Sequence, residues 1–261
     1  MKIYIMTDME GASGLRLADE CSSSSPLYEP ARSFLIDDAN AAIAGCFDGG
    51  AEEVTVNDGH GPARTLDMAR MDKRAAYESC CGSANVLPAL DETYDGLVVV
   101  GAHAMAGTVG AFLDHTQSSV VWHDYYINGE RYGEIGQWAA IAGHYDVPLL
   151  FVAGDRAACE EAERQFPGCA TVAVKEAVRR NYARITLPPE RAHEAIREGA
   201  RKAMALAGKL KPWKLEPPVE IKLEFNRADY ADTVARNAGV ERLDARTVRR
   251  MVSDVRRVVQ F

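Results

Sequence analysis

The chain has 261 residues and a formal net charge of −8, from 30 Lys and Arg against 38 Asp and Glu. Hydrophobic residues make up 47% and charged residues 26%, proportions that supply a packed core and exclude disorder or collagen-like repeats. The acid excess argues against a nucleic-acid partner, whose binding rests on Lys and Arg meeting phosphate.

The paired arginines Arg179-Arg180, Arg249-Arg250 and Arg256-Arg257 read as solvated, ion-paired surface. The six cysteines are Cys21, Cys46, Cys80, Cys81, Cys159 and Cys169. They contain no C-x-x-C, and the adjacent Cys80 and Cys81 are poorly placed to bridge. Scattered thiols predict a reducing, cytoplasmic setting. The N-terminal apolar run stops at Asp8, too early for a secretory signal. The charge-poor stretch 96–113 carries four glycines and His103, so no membrane span is expected.

In chain order, short aliphatic runs at 3–6, 54–56, 97–100 and 148–152 predict strands buried on both faces. Between the first two, Phe34, Leu35, Ala39, Ala42, Ile43 and Phe47 mark a helix over about 30–47, stopped by Gly49-Gly50. Strand alternating with helix predicts an α/β fold with a largely parallel, doubly wound sheet. The runs 120–127 and 130–132 flank Asn128-Gly129, a hairpin signal. The Ala-rich stretch 133–143 predicts a helix with Glu134 at its N-terminus.

Past Asp155 the texture changes. Helices are predicted over 156–165, 190–210, 227–237 and 245–260, with a strand at 219–225 after a proline-rich connection. The expected division is a catalytic α/β lobe, 1–155, and a smaller α+β lobe, 156–261.

The functional argument starts from strand ends. Asp8 and Glu10 follow the first strand, Asn57, Asp58 and His60 the second, and His103 the third. Open parallel sheets bind ligands outside the carboxyl ends of their strands. Two carboxylates and two imidazoles on one rim form a ligand set of the kind that zinc, manganese and similar divalent ions use. Taken singly, each has a plain structural reading: a cap, a packed histidine, an Asn-Asp-Gly turn. Their coincidence on one edge points to a metal site.

Glu134 either complements its helix dipole or closes the metal shell. His115, in a loop after Asp114, is the acid/base candidate. His123 alternates within a strand and is expected to pack; His144 and His193 read as structural.

Several motifs together resemble a known family. Asp8-Met9-Glu10-Gly11-Ala12-Ser13-Gly14, Val56-Asn57-Asp58-Gly59-His60 and Gly101-Ala102-His103-Ala104 are similar to those of the D-aminopeptidases, the dipeptide-operon zinc peptidases of family M55. So are Ile127-Asn128-Gly129-Glu130, Gly133-Glu134-Ile135-Gly136, Tyr145-Asp146-Val147-Pro148 and Val152-Ala153-Gly154-Asp155. The likeness runs along almost the whole chain.

The resemblance implies two zinc ions per chain bridged by Asp8, one completed by Glu10 and His103, the other by His60 and Glu134. It matches His115 to the family's catalytic histidine, described there as a nucleophile; general acid/base action on water is the alternative. It further implies a homo-oligomer, a ring-shaped decamer, acting on short peptides such as D-Ala-D-Ala. Two other readings of the residues stand beside it. One is a different dinuclear hydrolase, such as an amidase or esterase; the other is a silent, metal-stabilised peptide-binding assembly.

Overall fold

A computed structural model describes residues 1–61, 64–80, 83 and 85–261. Its strands and helices run β1 (Lys2–Thr7), α1 (Tyr28–Asp48), β2 (Glu53–Asp58), β3 (Ala76–Ser79), β4 (Gly96–Ala102), β5 (Trp122–Ile127) and β6 (Glu130–Arg131). Then follow α2 (Glu134–His144), β7 (Leu149–Asp155), α3 (Arg156–Gln165), β8 (Ala170–Arg179), β9 (Tyr182–Ile185) and α4 (Pro189–Ala203). The last are β10 (Val219–Phe225), α5 (Ala228–Val234), β11 (Val240–Arg242) and β12 (Thr247–Val252).

Seven strands form one sheet in the order β3-β2-β1-β4-β7-β8-β9, parallel except for the β8–β9 hairpin. Helices cover both faces, as the aliphatic strand runs predict. On one side Leu35, Ala39 and Ile43 of α1 and Ile196 and Ala200 of α4 share a core with Ile3, Ile5, Val98 and Val100. On the other, Trp138, Ala139 and Ile141 of α2 meet Tyr4, Met6, Leu97 and Val99. The expected α/β, doubly wound architecture is present.

A second, antiparallel sheet has the order β11-β12-β10-β5-β6. Burial alternates along β10, so Val219, Ile221, Leu223 and Phe225 face the α2 core while the alternate residues stay half-buried. The Asn128-Gly129 hairpin is present, with both residues at positive φ, and α2 begins at Glu134 as expected.

Four expectations need correction. Residues 245–260 are not a helix: they form β12 and then a short 3-10 turn, Val255–Arg257. Thr247, Val248 and Val252 are buried, and Arg249 is neutralised across the sheet by Glu220 and Glu241. The charged pair Arg249-Arg250 thus sits in a strand whose partners carry the opposite charge. The helix predicted over 190–210 ends at Ala203, and that predicted over 227–237 spans Ala228–Val234. His123 does not pack; it is exposed on β5 beside Asp124.

Neither sheet divides at residue 155. β8 and β9 extend the first sheet, while β5 and β6 belong to the second. Cys21, Cys46, Cys159 and Cys169 are buried free thiols; Cys81, of the adjacent pair, lies outside the described residues. Among the described residues, no helix is long and apolar enough to cross a membrane.

Candidate metal centre

The carboxyl ends of β1, β2 and β4 meet on one rim. Asp8 is held there by its backbone: its N–H donates to Val100 O at 2.9 Å, and the Gly11 N–H donates to Gly101 O at 2.8 Å. His60 lies two residues past the end of β2, whose last residue, Asp58, accepts at Oδ2 the N–H groups of Thr65 (2.6 Å) and Leu66 (2.9 Å). His103 directly follows β4, and Glu134 opens α2. Four elements therefore deliver five of the singled-out side chains to one place.

The two oxygens of Asp8 face different imidazoles. Oδ1 lies 3.1 Å from His60 Nδ1, and Oδ2 lies 3.2 Å from His103 Nε2. Glu10 Oε2 is 3.0 Å from His60 Nδ1, and Glu134 Oε1 is 3.3 Å from His103 Nε2. Ligand atoms of Asp8, Glu10 and His103 fall within 4.8 Å of one another, as do those of His103, His115 and Glu134.

Backbone carbonyls fix the ring nitrogens. His60 Nε2 is 2.9 Å from Cys21 O, and His103 Nδ1 is 3.0 Å from Ala104 O. In each neutral ring the nitrogen at the carbonyl carries the proton, so the nitrogen facing Asp8 presents a lone pair.

Two observations fit a cation in this cluster. Among the described residues, Glu10 Oε2 and His103 Nε2 are buried without a hydrogen bond, close though charged partners lie. Such orphaned atoms are costly unless something else meets them. The donor set, carboxylate oxygens with imidazole nitrogens, is one that zinc accepts.

Without an ion, the histidines balance the acids themselves. Burial opposes charge on His60, but Glu10 and Asp8 outweigh it and raise the imidazole to about 12. Burial likewise opposes charge on His103, and Asp8 and Glu134 still hold its pKa well above the usual value. Burial pushes the Asp8 carboxyl up, yet His103 and His60 bring it well below its ordinary range. Glu134 is lowered in the same way, chiefly by His103 against its own burial.

The cluster floors a cavity of about 450 Å³. Asp8, Glu10, His60, His115 and Glu134 line it together with Met6, Val86, Trp138, Cys21, Gln117 and a run of serines. Among the described residues, its ionisable lining is carboxylate, imidazole and thiol, and its size suits a short peptide. His115 stacks on His103, ring centroids 3.9 Å apart and planes 8° from parallel, with Nε2 3.8 Å from Glu134 Oε1.

A model of peptidase family M55, described as D-aminopeptidase, matches residues 1–261. The chain belongs to the D-aminopeptidase family. A D-aminopeptidase of Bacillus subtilis (strain 168) is 36% identical over 233 residues, covering 88% of this chain and 82% of the relative. A solved structure, Zn-dependent D-aminopeptidase DppA from Bacillus subtilis, a self-compartmentalizing protease, superposes with a TM-score of 0.95 at 32% identity. That superposition covers 100% of this chain and 94% of the other.

For this D-aminopeptidase family member, the structure adds residues that the sequence did not single out. Cys21 contributes its carbonyl to His60. Gln117 donates its N–H to Glu134 Oε1 at 2.7 Å, and its side-chain amide to Gln137 Oε1 at 2.9 Å. Lys175 of β8 is fully buried beneath the loop that carries Asp8 and Glu10. Its ammonium donates to the carbonyls of Glu10, Ala12 (3.0 Å) and Leu15 (3.5 Å). A carbonyl partner leaves no mark in sequence, and a lone lysine reads as surface. The other two histidines stand away from this site: His193 lies 3.4 Å from Asp38 of α1, and His144 ends α2.

Proposed function

We propose that this chain is a zinc-dependent aminopeptidase that releases N-terminal D-amino acids from short peptides such as D-Ala-D-Ala. Asp8, Glu10, His60, His103 and Glu134 would hold two zinc ions per chain, with Asp8 between them. The observation that carries this reading is Asp8 itself, whose two oxygens each face a separate imidazole with a carboxylate behind it. Asp8, Glu10 and His103 are close enough together to meet one ion, and His60 and Glu134 would then complete the other.

Ions bound there would supply Lewis acidity, polarising a carbonyl and easing the ionisation of water. The rest belongs to the chain. His115 Nδ1 lies 2.7 Å from Leu113 O, so in the neutral ring that nitrogen donates and Nε2 is left to accept a proton. His115 then takes the proton of the attacking water and returns it to the leaving amine, a contribution typically of about 10²–10⁴-fold. The preference for D-residues rests on the names of the relatives.

The solved relative's self-compartmentalizing character supports a homo-oligomer that encloses its sites. A decamer would appear in light scattering as ten chains of 28.5 kDa. The buried free thiols support a reducing, cytoplasmic location.

The test is zinc titration into metal-free protein with D-Ala-D-Ala as substrate and L-Ala-L-Ala as control. Turnover of the D-dipeptide alone, saturating near two equivalents per chain, is the expected result. Stoichiometric zinc uptake without turnover would sink the peptidase reading and leave a metal-binding scaffold. Asp8→Ala and His60→Ala should each lose bound zinc and turnover together, with an unchanged circular dichroism spectrum.

A further inference from the structure

His115 is held from outside the cavity. It is flanked by Leu113 at φ 49° and Gln117 at φ 60°, both in the left-handed region that side-chain-bearing residues adopt at a cost. Strained backbone of this kind persists only where its surroundings fix it. At the Gln117 end, Glu134 does so by accepting the Gln117 N–H.

At the Leu113 end the fixing group is Arg180, in the turn between β8 and β9. The Leu113 N–H donates to Arg180 O at 2.7 Å. Arg180 Nε donates to Asp114 Oδ1 at 2.8 Å, and Nη2 donates to the Asp114 backbone carbonyl at 3.0 Å. One guanidinium thus grips both the side chain and the main chain of the residue before His115. The other Asp114 oxygen, Oδ2, accepts the Gly107 N–H at 2.8 Å, tying in the segment that leads away from His103.

We propose that Arg180 and Asp114 are positioning residues for His115, clamping its loop so that the imidazole stays stacked on His103 with Nε2 turned to Glu134. The proposal rests on the reading above that His115 moves protons in peptide hydrolysis. The pair lies outside the cavity lining, so its effect reaches the reaction through His115. A half-exposed ion pair adds little to stability, and the side chain of Arg180 is 48% exposed. Geometry is a different matter. Two parallel donors on one residue specify orientation in a way that the single ammonium of lysine does not.

Arg180→Met, Asp114→Asn and the double variant test this, with Arg180→Lys as the conservative control. The expected result is a kcat lower by about 10- to 50-fold in each single variant, the scale of a misplaced catalytic group. KM should stay within about twofold and zinc content unchanged, because binding groups are untouched. The double variant should fall no further than the worse single, since both act through one loop. Arg180→Lys should fail to restore kcat.

Crystal structures of the same variants read the imidazole directly, and should show His115 moved off its 3.9 Å stack on His103. That readout stands even if the dipeptide is the wrong substrate, so failure of the peptidase reading stays distinct from failure of the clamp. An unmoved ring, full kcat in both single variants, or activity lost only in step with zinc or folded fraction would overturn the proposal.

Discussion

Asp8 reaches the rim at the carboxyl ends of the strands because Gly101 carries no side chain. Gly101 sits at φ +79°, and a Cβ placed there would fall 1.8 Å from the Asp8 carbonyl oxygen. Backbone atoms cannot yield as a flexible side chain can, so Gly101→Ala has to push β1 and β4 apart at the point where both deliver ligands. The left-handed conformation costs an alanine about 1–2 kcal/mol, and the clash adds to it. Gly101→Ala is expected to lower stability by about 3 kcal/mol or more and to weaken zinc uptake. Urea unfolding and chelator competition measure the two effects. Unchanged zinc affinity would show that the Asp8–Gly101 approach does not set ligand geometry. At this scale much of the site is legible in the sequence, because Asp8, Glu10, His60 and His103 directly follow apolar strand runs. Lys175 is not legible: only the fold reveals that its ammonium is buried under the Glu10 loop rather than solvated.

Among the elements, β8 and α3 carry support for the site from a part of the chain that the sequence reading set aside as a separate lobe. β8 was invisible because Lys175 and Glu176 interrupt its apolar run, and β12 because Arg249-Arg250 reads as a helix surface. Lys175 is met by carbonyls of the loop after β1, and Arg249 by acids on the neighbouring strands β10 and β11, which a local helical pattern cannot show. α3 presents Glu161, which is buried. Its Oε2 accepts the Met105 N–H at 2.8 Å, while Oε1 has no hydrogen-bond partner among the described residues. Burial raises this carboxyl from 4.5 to about 7. Between those values the folded chain keeps a proton that the unfolded chain releases, so stability falls as pH rises from about 4.5 to 7. Glu161→Gln keeps an acceptor for Met105 and removes the charge. It should flatten this pH dependence and gain about 1–2 kcal/mol at pH 8, less than the full shift because its amide lacks a partner. Urea midpoints of metal-free protein at pH 5 and pH 8 decide it; parallel pH dependence in both proteins would mean that Glu161 does not carry the proton.

For the molecule as a whole, the two sheets interlock along the chain. β5 and β6 leave the first sheet's sequence to join β10 and β12, and β8 and β9 then return to close the edge beside β7. The core on the α2 side contains residues of both sheets, from Tyr4 and Val99 to Ile221 and Val248. A fragment ending at residue 155 would expose the outer edge of β7, where Phe151 to Asp155 pair with β8. It would also leave β5 with only the two-residue β6 as a neighbour, since β10 supplies its long pairing. Unpaired edges over an open apolar face favour aggregation over folding. The expected outcome is that residues 1–155 alone show no cooperative thermal transition and bind no zinc, while the full chain unfolds in a single calorimetric step. A fragment that folds and takes up zinc would mean that β8 and Lys175 are dispensable to the metal rim, and that the chain is built of two separable units.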